Sequence, residues 1–365
     1  MALNMLRALQ QDGHEQLAVT STWTDGEFSR RLQVMQISEV KLPFGTLSKK
    51  LALRPIWWTA NSLAKIPTLW RGWVKTLREF KPDVVVLTNS RQALLLYPWL
   101  GYCPTFLIEH SDKQESRTNR WVYRRLSRKL AAFVPASDFM AVHLNRLGVP
   151  PGKMTVIKNG VLSEKAVLVD TAADINHRRA EVSRPRIGIA GQVSPHKGHD
   201  CLIEAARLLS DGGKDFVVRV FGTGTPMYVE QLKQKIAAAH LGRKWEWMGY
   251  ETNLAKIYGA MDICAMPSCF DEPFGMVALE ASGYGLPVVA SRRGGLPEII
   301  EEGVTGFLFD SSKPDELASK IAWLSEHPEI AKKMGAAGRK RALRLFTQEK
   351  MAAEFESLFR SYLNL

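Results

Sequence analysis

The sequence predicts an α/β protein built from two Rossmann-like, doubly wound parallel-sheet domains facing a cleft. Three observations predict it. The chain has 365 residues, and domains of roughly 100–200 residues make that two. Near-continuous Val/Ile runs alternate with amphipathic helical patterns, the mark of βα units and a parallel sheet buried on both faces. A polar stretch near 162–184, with few strand or helix signals, separates two such series and reads as a linker.

The elements follow in order. In the first half, LAVTS (17–21), LQVMQI (32–37), DVVVLT (83–88), TFLIEH (105–110), LAAFVPA (130–136) and KMTVIK (153–158) read as strands. Helical patterns fall near 2–12, 56–80, 91–98, 116–129 and 137–147. In the second half the strands are RIGIA (186–190), FVVRVF (216–221), WEWMG (245–249), DICAMP (262–267), PVVA (287–290) and GFLF (306–309). The helices between them are amphipathic, as in Leu202, Ile203, Ala206 and Leu209. The expected division is an N-terminal domain at 1–165, a linker at 166–184, a C-terminal domain at 185–345, and a closing helix at 346–365.

Composition bounds the function. With 45% hydrophobic and 24% charged residues the chain is ordinary globular, not disordered or collagenous. No run of about 18 apolar residues marks a membrane span. The opening MALNMLRALQQDGHEQ is amphipathic with acidic residues, unlike an export signal, so a cytoplasmic protein is expected. The four cysteines lack the paired spacing of a zinc site and read as free thiols. The formal charge of +12 is uneven. Residues 1–180 hold 26 Lys and Arg against 14 Asp and Glu, and the rest hold 23 against 23. That asymmetry points to an anionic partner for the first half.

Ligands of doubly wound sheets sit beyond the carboxyl ends of the strands, so the loops after strands carry the chemistry. GQVSPHKG, from Gly191 to Gly198, follows the strand 186–190. Its glycines allow close backbone approach, and Lys197 precedes a helix N-terminus, which suits phosphate. By itself this loop reads equally as an ordinary turn with a solvated lysine. FGTGTP (221–226), with Gly222, is a second such turn. CFDEPFGMVALEASGYGLPVV (269–289) is stronger. Pro273 suits a helix start, which places Glu272 in the loop and Glu280 within the helix. Eight residues span at most about 12 Å along a helix, roughly the distance from a sugar across a diphosphate to a ribose. Each carboxylate can hold a vicinal diol, and the amides of Gly275, Met276 and Val277 lie between them. Glu280 interrupts an apolar run, and a buried carboxylate needs a partner.

The Glu-x7-Glu frame in EPFGMVALE, followed by ASGYGLPVVAS and GGLPEIIEEGVTGFLF, resembles the retaining GT-B glycosyltransferases of family four (glycosyl transferases group 1, bacterial type). GIAGQVSPHKG, FGTGTP and WMGYETNLAKIYGAMDICAMPS match the preceding blocks in order. The resemblance is close over about 130–365 and loose before that. It implies a nucleotide-sugar donor held mainly by the second domain. Lys197 contacts the diphosphate, with Gly191, Gln192 and Gly222 beside it, and Glu280 the ribose hydroxyls. Glu272 contacts hydroxyls of the transferred sugar, assisted by the amides of 275–277, and Phe274 is a further donor-binding residue. The base lies near Gly249, Tyr250 and Leu254. His110, closing TFLIEH, matches the family's active-site histidine; His110, Glu272 and Lys197 are the expected catalytic residues. KNGV (158–161) resembles the segment before the linker, and the closing helix one that crosses back to the first domain. The implied chemistry is sugar transfer with retention of anomeric configuration, without metal or other cofactor, to a glycan or lipid-linked acceptor in cell-surface polysaccharide or lipopolysaccharide synthesis.

Two departures bear on activity. Gln192 stands where the family commonly has Arg, so charge for the diphosphate would come from elsewhere, with Arg292 or Arg293 as candidates. The resemblance also implies a first strand and glycine loop ahead of the opening helix. The N-terminal sheet of this chain is therefore expected to have an exposed edge, and the alternative reading is a catalytically impaired GT-B-like scaffold. Residues 49–80 interleave Trp57, Trp58, Trp70 and Trp73 with seven Lys or Arg residues, and 113–129 adds KQESRTNRWVYRRLSRK. This pattern suits peripheral contact with an anionic membrane as well as core packing under a solvated basic face. No nucleic-acid recognition motif is present, so nucleic acid is not an expected partner. GTGTPM lacks the third glycine of a dinucleotide fingerprint.

Overall fold

The computed structural model describes residues 2–23, 26–45, 59, 61–110, 114–160 and 184–363. The expected linker from 166 to 183, Val161 of KNGV, Trp57, Trp58, Lys49, Lys50, Arg54 and Lys113 lie outside the described residues. The chain divides into two compact units. One comprises 1–136, 140–158 and 351–365, and the other 137–139 and 159–350.

In the first unit, β1 (Leu17–Ser21) pairs in parallel with β2 (Ser38–Leu42). A second parallel sheet runs β3 (Val85–Leu87), β4 (Thr105–Glu109) and β5 (Ala132–Pro135). All five positions of β4 are buried, as a central strand covered on both faces must be. β1 and β3 each keep one unpaired edge among the described residues, and both line one apolar cavity of about 520 Å³. Helix α1 (Ala2–Gln11) places Met5 and Leu9 against Phe106, Ile108 and Val134. The same cluster holds Met351, Phe355 and Phe359 of the closing helix Gln348–Leu363, whose Tyr362 hydroxyl donates to the Ala131 carbonyl at 3.0 Å.

Three expected elements differ here. The 32–37 strand is absent. The helix Glu27–Val34 covers its start, and the strand begins at Ser38. Phe28, Leu32 and Met35 recur at i, i+4 and i+7 in one cluster with Ala18 and Ile37, so the helical period outweighs the short apolar run. The 153–158 segment makes a 3-10 turn at Pro151–Lys153. It then bridges Met154 to Phe133, with the Thr155 and Ile157 amides donating to β5 carbonyls. The 56–80 helix is regular from Ile66 to Phe80, where Pro67 occupies the first turn.

The second unit is one six-stranded parallel sheet in the order β11-β10-β9-β6-β7-β8. Its strands are β6 (Arg186–Ala190), β7 (Val217–Phe221), β8 (Trp245–Gly249), β9 (Ile263–Met266), β10 (Val288–Ser291) and β11 (Gly306–Phe309). The order reverses between β6 and β9, a switch point where loops on either side diverge and leave a crevice. Ile187, Ile189, Val218, Val220 and Ile263 meet Leu202, Ile203, Ala206 and Leu232 of the covering helices in one core. No helix among the described residues is long and apolar enough to cross a membrane.

Candidate functional site

The loops beyond β6, β7 and β9 of the second unit are locked together by backbone. Gly191 donates to the Phe221 carbonyl at 2.9 Å, and Val193 to the Thr223 carbonyl at 2.9 Å. Gly222 has φ +139°, and a Cβ there would lie 1.8 Å from the Gly191 oxygen. The chain then makes a 3-10 turn at Pro195–Lys197 and reverses at Gly198, whose φ is +73°. A Cβ on Gly198 would stand 1.7 Å from the Pro267 oxygen, so only glycine fits. The Cys269 amide donates to the His196 carbonyl at 2.8 Å. The phosphate-type loop is thereby fixed to the segment that carries Glu272.

Lys197 and Glu272 meet at the centre of this arrangement. The Lys197 Nζ donates to Glu272 Oε1 at 2.7 Å, and the Ser268 hydroxyl donates to the same oxygen at 2.7 Å. Glu272 is 6% exposed, so its charge needs these donors. The ammonium also lies 5.0 Å from the Phe270 ring centre, a cation–π contact. Three residues after Glu272, Gly275 (φ +111°) precedes the helix Met276–Gly283 and no side chain caps it. Its first-turn amides and dipole therefore favour an anion. Glu280, on that helix, accepts from the buried Tyr258 hydroxyl at 2.6 Å. Burial holds its carboxyl above the ordinary value of 4.5, and the Tyr258 hydrogen bond partly offsets this.

The remaining expected donor residues take several positions. Gly249 ends β8 with φ +74° and accepts from the Gly222 amide at 2.7 Å. Tyr250 is 72% exposed, and Leu254 opens the helix Leu254–Gly259. Met276 and Val277 are half-buried in the first helical turn, and Gln192 is exposed. Two expectations are corrected. Phe274 does not present its ring: it is 2% exposed and packs edge-on against Phe346 at 5.7 Å, so only its backbone borders the helix start. Arg292 and Arg293 are not spare cations. Arg292 pairs with Glu302 at 2.8 Å, and Arg293 with Asp271 at 3.2 Å and Ser311 at 3.2 Å.

In the first unit, His110 directly follows β4 and is half-buried. Burial lowers its pKa below 6.5, so the ring is neutral at pH 7. Its neighbour Glu109, 2% exposed, accepts from the Tyr123 hydroxyl at 2.5 Å. Of the tryptophans, Trp73 is 7% exposed and belongs to the core, which removes it from any surface role. Trp70 is half-buried, its indole N–H donating to the Leu95 carbonyl at 2.8 Å. Trp121, on the helix Arg117–Ser127, is exposed at 63%, and Trp23 at 48%. Sequence reasoning missed Ser268, Phe270 and Tyr258. Tyr258 is 22 residues from Glu280 on another element, and no spacing rule reaches it.

Comparisons with known proteins bear on the family and the fold. The family model described as Glycosyl transferases group 1 matches residues 171–341, and that described as Glycosyltransferase Family 4 matches 1–165. A D-inositol 3-phosphate glycosyltransferase of Corynebacterium glutamicum is 30% identical over 69% of this chain and 63% of that protein. An alpha-maltose-1-phosphate synthase of Mycolicibacterium smegmatis is 26% identical over 67% of this chain and 66% of that protein. The chain thus spans less than two thirds of these curated relatives. Among solved structures, Anabaena HepE in complex with UDP superimposes with a TM-score of 0.81 at 20% identity. It covers 99% of this chain and 96% of that one. The apo lipopolysaccharide outer core galactosyltransferase WaaB gives 0.69 at 15% identity, over 94% and 99%. At such identities the likeness is one of fold.

Proposed function

Because the chain belongs to the group 1, family 4 glycosyltransferases of the GT-B fold, we propose that it transfers a sugar from a nucleoside diphosphate donor to a glycan or lipid-linked acceptor, with retention of anomeric configuration. The Lys197–Glu272 pair beside an uncapped helix start carries this reading. Solved neighbours include HepE in complex with UDP-glucose, which supports a nucleotide-sugar donor. The diphosphate lies on the first-turn amides of 276–278 and draws the Lys197 ammonium from Glu272. Glu272, released from the ammonium, accepts hydroxyls of the transferred sugar, and Glu280 those of the ribose. Tyr250 and Leu254 border the base.

In the transfer step, the bond from the anomeric carbon to the diphosphate oxygen breaks on the face from which the acceptor hydroxyl attacks. The acceptor proton passes to the departing phosphate oxygen. Lys197 and the helix amides stabilise the developing charge, so no metal is required. His110, neutral at pH 7, hydrogen-bonds a hydroxyl of the sugar.

The acceptor surface is read from charge. Trp121 stands among exposed Arg117, Arg120, Arg124 and Arg128, a composition suited to an anionic membrane face and to a place in cell-surface polysaccharide or lipopolysaccharide synthesis on the cytoplasmic side.

Thermal shifts with UDP-, GDP-, ADP- and dTDP-sugars test the donor. The right one, at 100 times its Kd, stabilises by about 2.7 kcal/mol. Absence of a shift with all four, together with no donor turnover, would leave a scaffold as the correct reading, and donor turnover that survives unchanged in Glu272→Ala would remove that residue from the chemistry. Sedimentation with anionic vesicles tests the surface: binding that falls with salt supports it, and no binding refutes it.

A further inference from the structure

Glu272 is held by two donors of different kinds. The Lys197 ammonium and the Ser268 hydroxyl each donate to Oε1 at 2.7 Å. The other oxygen, Oε2, takes no hydrogen bond from the described residues and is not sealed from solvent. The lysine is long, and its side chain keeps 24% exposure. Ser268 is 1% exposed and sits on backbone fixed from both sides. The Pro267 carbonyl before it leaves no room for a Cβ on Gly198, and the Cys269 amide after it donates to the His196 carbonyl at 2.8 Å. With one χ angle and pinned neighbours, its hydroxyl has little freedom left to lose. The Glu272 backbone is fixed as well. Its carbonyl accepts the Gly295 amide at 2.7 Å, and a Cβ on Gly294 would stand 2.1 Å from the same oxygen. Only the Glu272 side chain can respond when the ammonium is shared.

We propose that Ser268 is a positioning residue for Glu272: its hydroxyl anchors Oε1 when the donor diphosphate draws the Lys197 ammonium away, and so keeps Oε2 presented to the transferred sugar. The inference rests on the donor-site reading. An arriving diphosphate removes the cation and sets its own negative charge near the carboxylate, which it repels. Ser268 is enclosed and uncharged, so the phosphates do not draw it as they draw the ammonium. Without that anchor the Glu272 side chain swings away from the diphosphate, and the sugar loses its acceptor. A nucleoside diphosphate that carries no sugar has no use for the anchor.

Calorimetry with UDP, GDP and ADP, and with UDP-glucose, GDP-glucose and ADP-glucose, tests this on the pair that wild type binds best. The readout is the ratio of sugar-nucleotide affinity to nucleoside diphosphate affinity, which a general loss of stability does not move. Ser268→Ala should lower the ratio about tenfold, the size of one hydrogen bond to a charged group, and leave binding of the diphosphate alone within about twofold. Ser291→Ala removes an equally buried hydroxyl that has no hydrogen-bond partner, and should leave the ratio unchanged. In a Glu272→Ala background, Ser268→Ala should cause no further fall, because it acts through that carboxylate. A ratio unchanged by Ser268→Ala, an equal fall in Ser291→Ala, or falls that add in the double variant overturn the proposal. Should Ser268→Ala not fold, Ser268→Cys, whose thiol is a weak donor, takes its place. Wild type that binds none of the six ligands refutes the donor-site reading itself.

Discussion

Lys197 and Glu272 occupy each other: the ammonium lies 2.7 Å from Oε1, and the carboxylate is buried beneath it. A donor diphosphate must share the ammonium, and a sugar hydroxyl must share the carboxylate. The pair is therefore both a stabilising contact and the element that donor binding rearranges.

Lys197→Ala should lower kcat/KM by roughly 10²–10³-fold, as for loss of a group that stabilises developing charge. It also leaves a buried carboxylate without its cation. The lysine side chain keeps 24% exposure, so water offsets part of that cost, and a loss of about 1–3 kcal/mol is expected. Glu272→Gln should lose comparable activity with a smaller fall in stability, because no buried charge is stranded. Steady-state kinetics and urea unfolding on both variants check the contrast.

Glu280 carries a raised carboxyl pKa because it is buried, with Tyr258 as its donor. The folded state then holds the proton more tightly than the unfolded chain. Its contribution is favourable below 4.5, and stability falls as pH rises from there through the folded value. Glu280→Gln should flatten that decline and melt higher than wild type at pH 7.5, while weakening donor binding. Tyr258→Phe should destabilise by about 1–3 kcal/mol. Thermal melts at pH 4.5 and 7.5 decide it. Parallel curves for wild type and Glu280→Gln would contradict the burial argument.

His199 gives the opposite pH dependence. Its pKa falls from 6.5 to about 4 through burial, so the unfolded chain takes the proton first. Stability from this group is complete above 6.5 and is lost as pH falls from 6.5 to about 4, by about 3 kcal/mol in all. His199→Gln should lack that loss. Denaturant midpoints of the two proteins between pH 7 and 4.5 measure the difference.

Gly198→Ala and Gly213→Ala form a controlled pair. Both glycines have positive φ, +73° and +72°, but a Cβ meets Pro267 only at Gly198. Gly213→Ala should cost about 1 kcal/mol, the backbone penalty alone. Gly198→Ala should cost several-fold more and weaken donor binding, because the 267–272 segment must move. Unfolding midpoints and nucleotide titrations compare them.

The second unit was largely legible from its sequence. Buried parallel strands are near-continuous apolar runs, and RIGIA, WEWMG and GFLF begin and end where those runs do. The loop GQVSPHKG and the EPFGMVALE helix start were readable for the same reason: Gly and Pro carry backbone constraints that are local. The first unit was harder. Its 32–37 run fits both strand and helix, and only packing of Phe28, Leu32 and Met35 onto Ala18 and Ile37 selects the helix. The tryptophans divide likewise: nothing local separates buried Trp73 from exposed Trp121.

By itself, then, the sequence determined the parallel α/β architecture, the order of the loops and the two glutamates, since these follow from periodicity and chain stereochemistry along neighbouring residues. Tertiary structure alone decided which groups face one another. Lys197 and Ser268 find Glu272, and Tyr258 finds Glu280. The physical reason is burial. Removing a charge or a polar group from water compels it to find a partner, and that partner is chosen by the packing of distant elements.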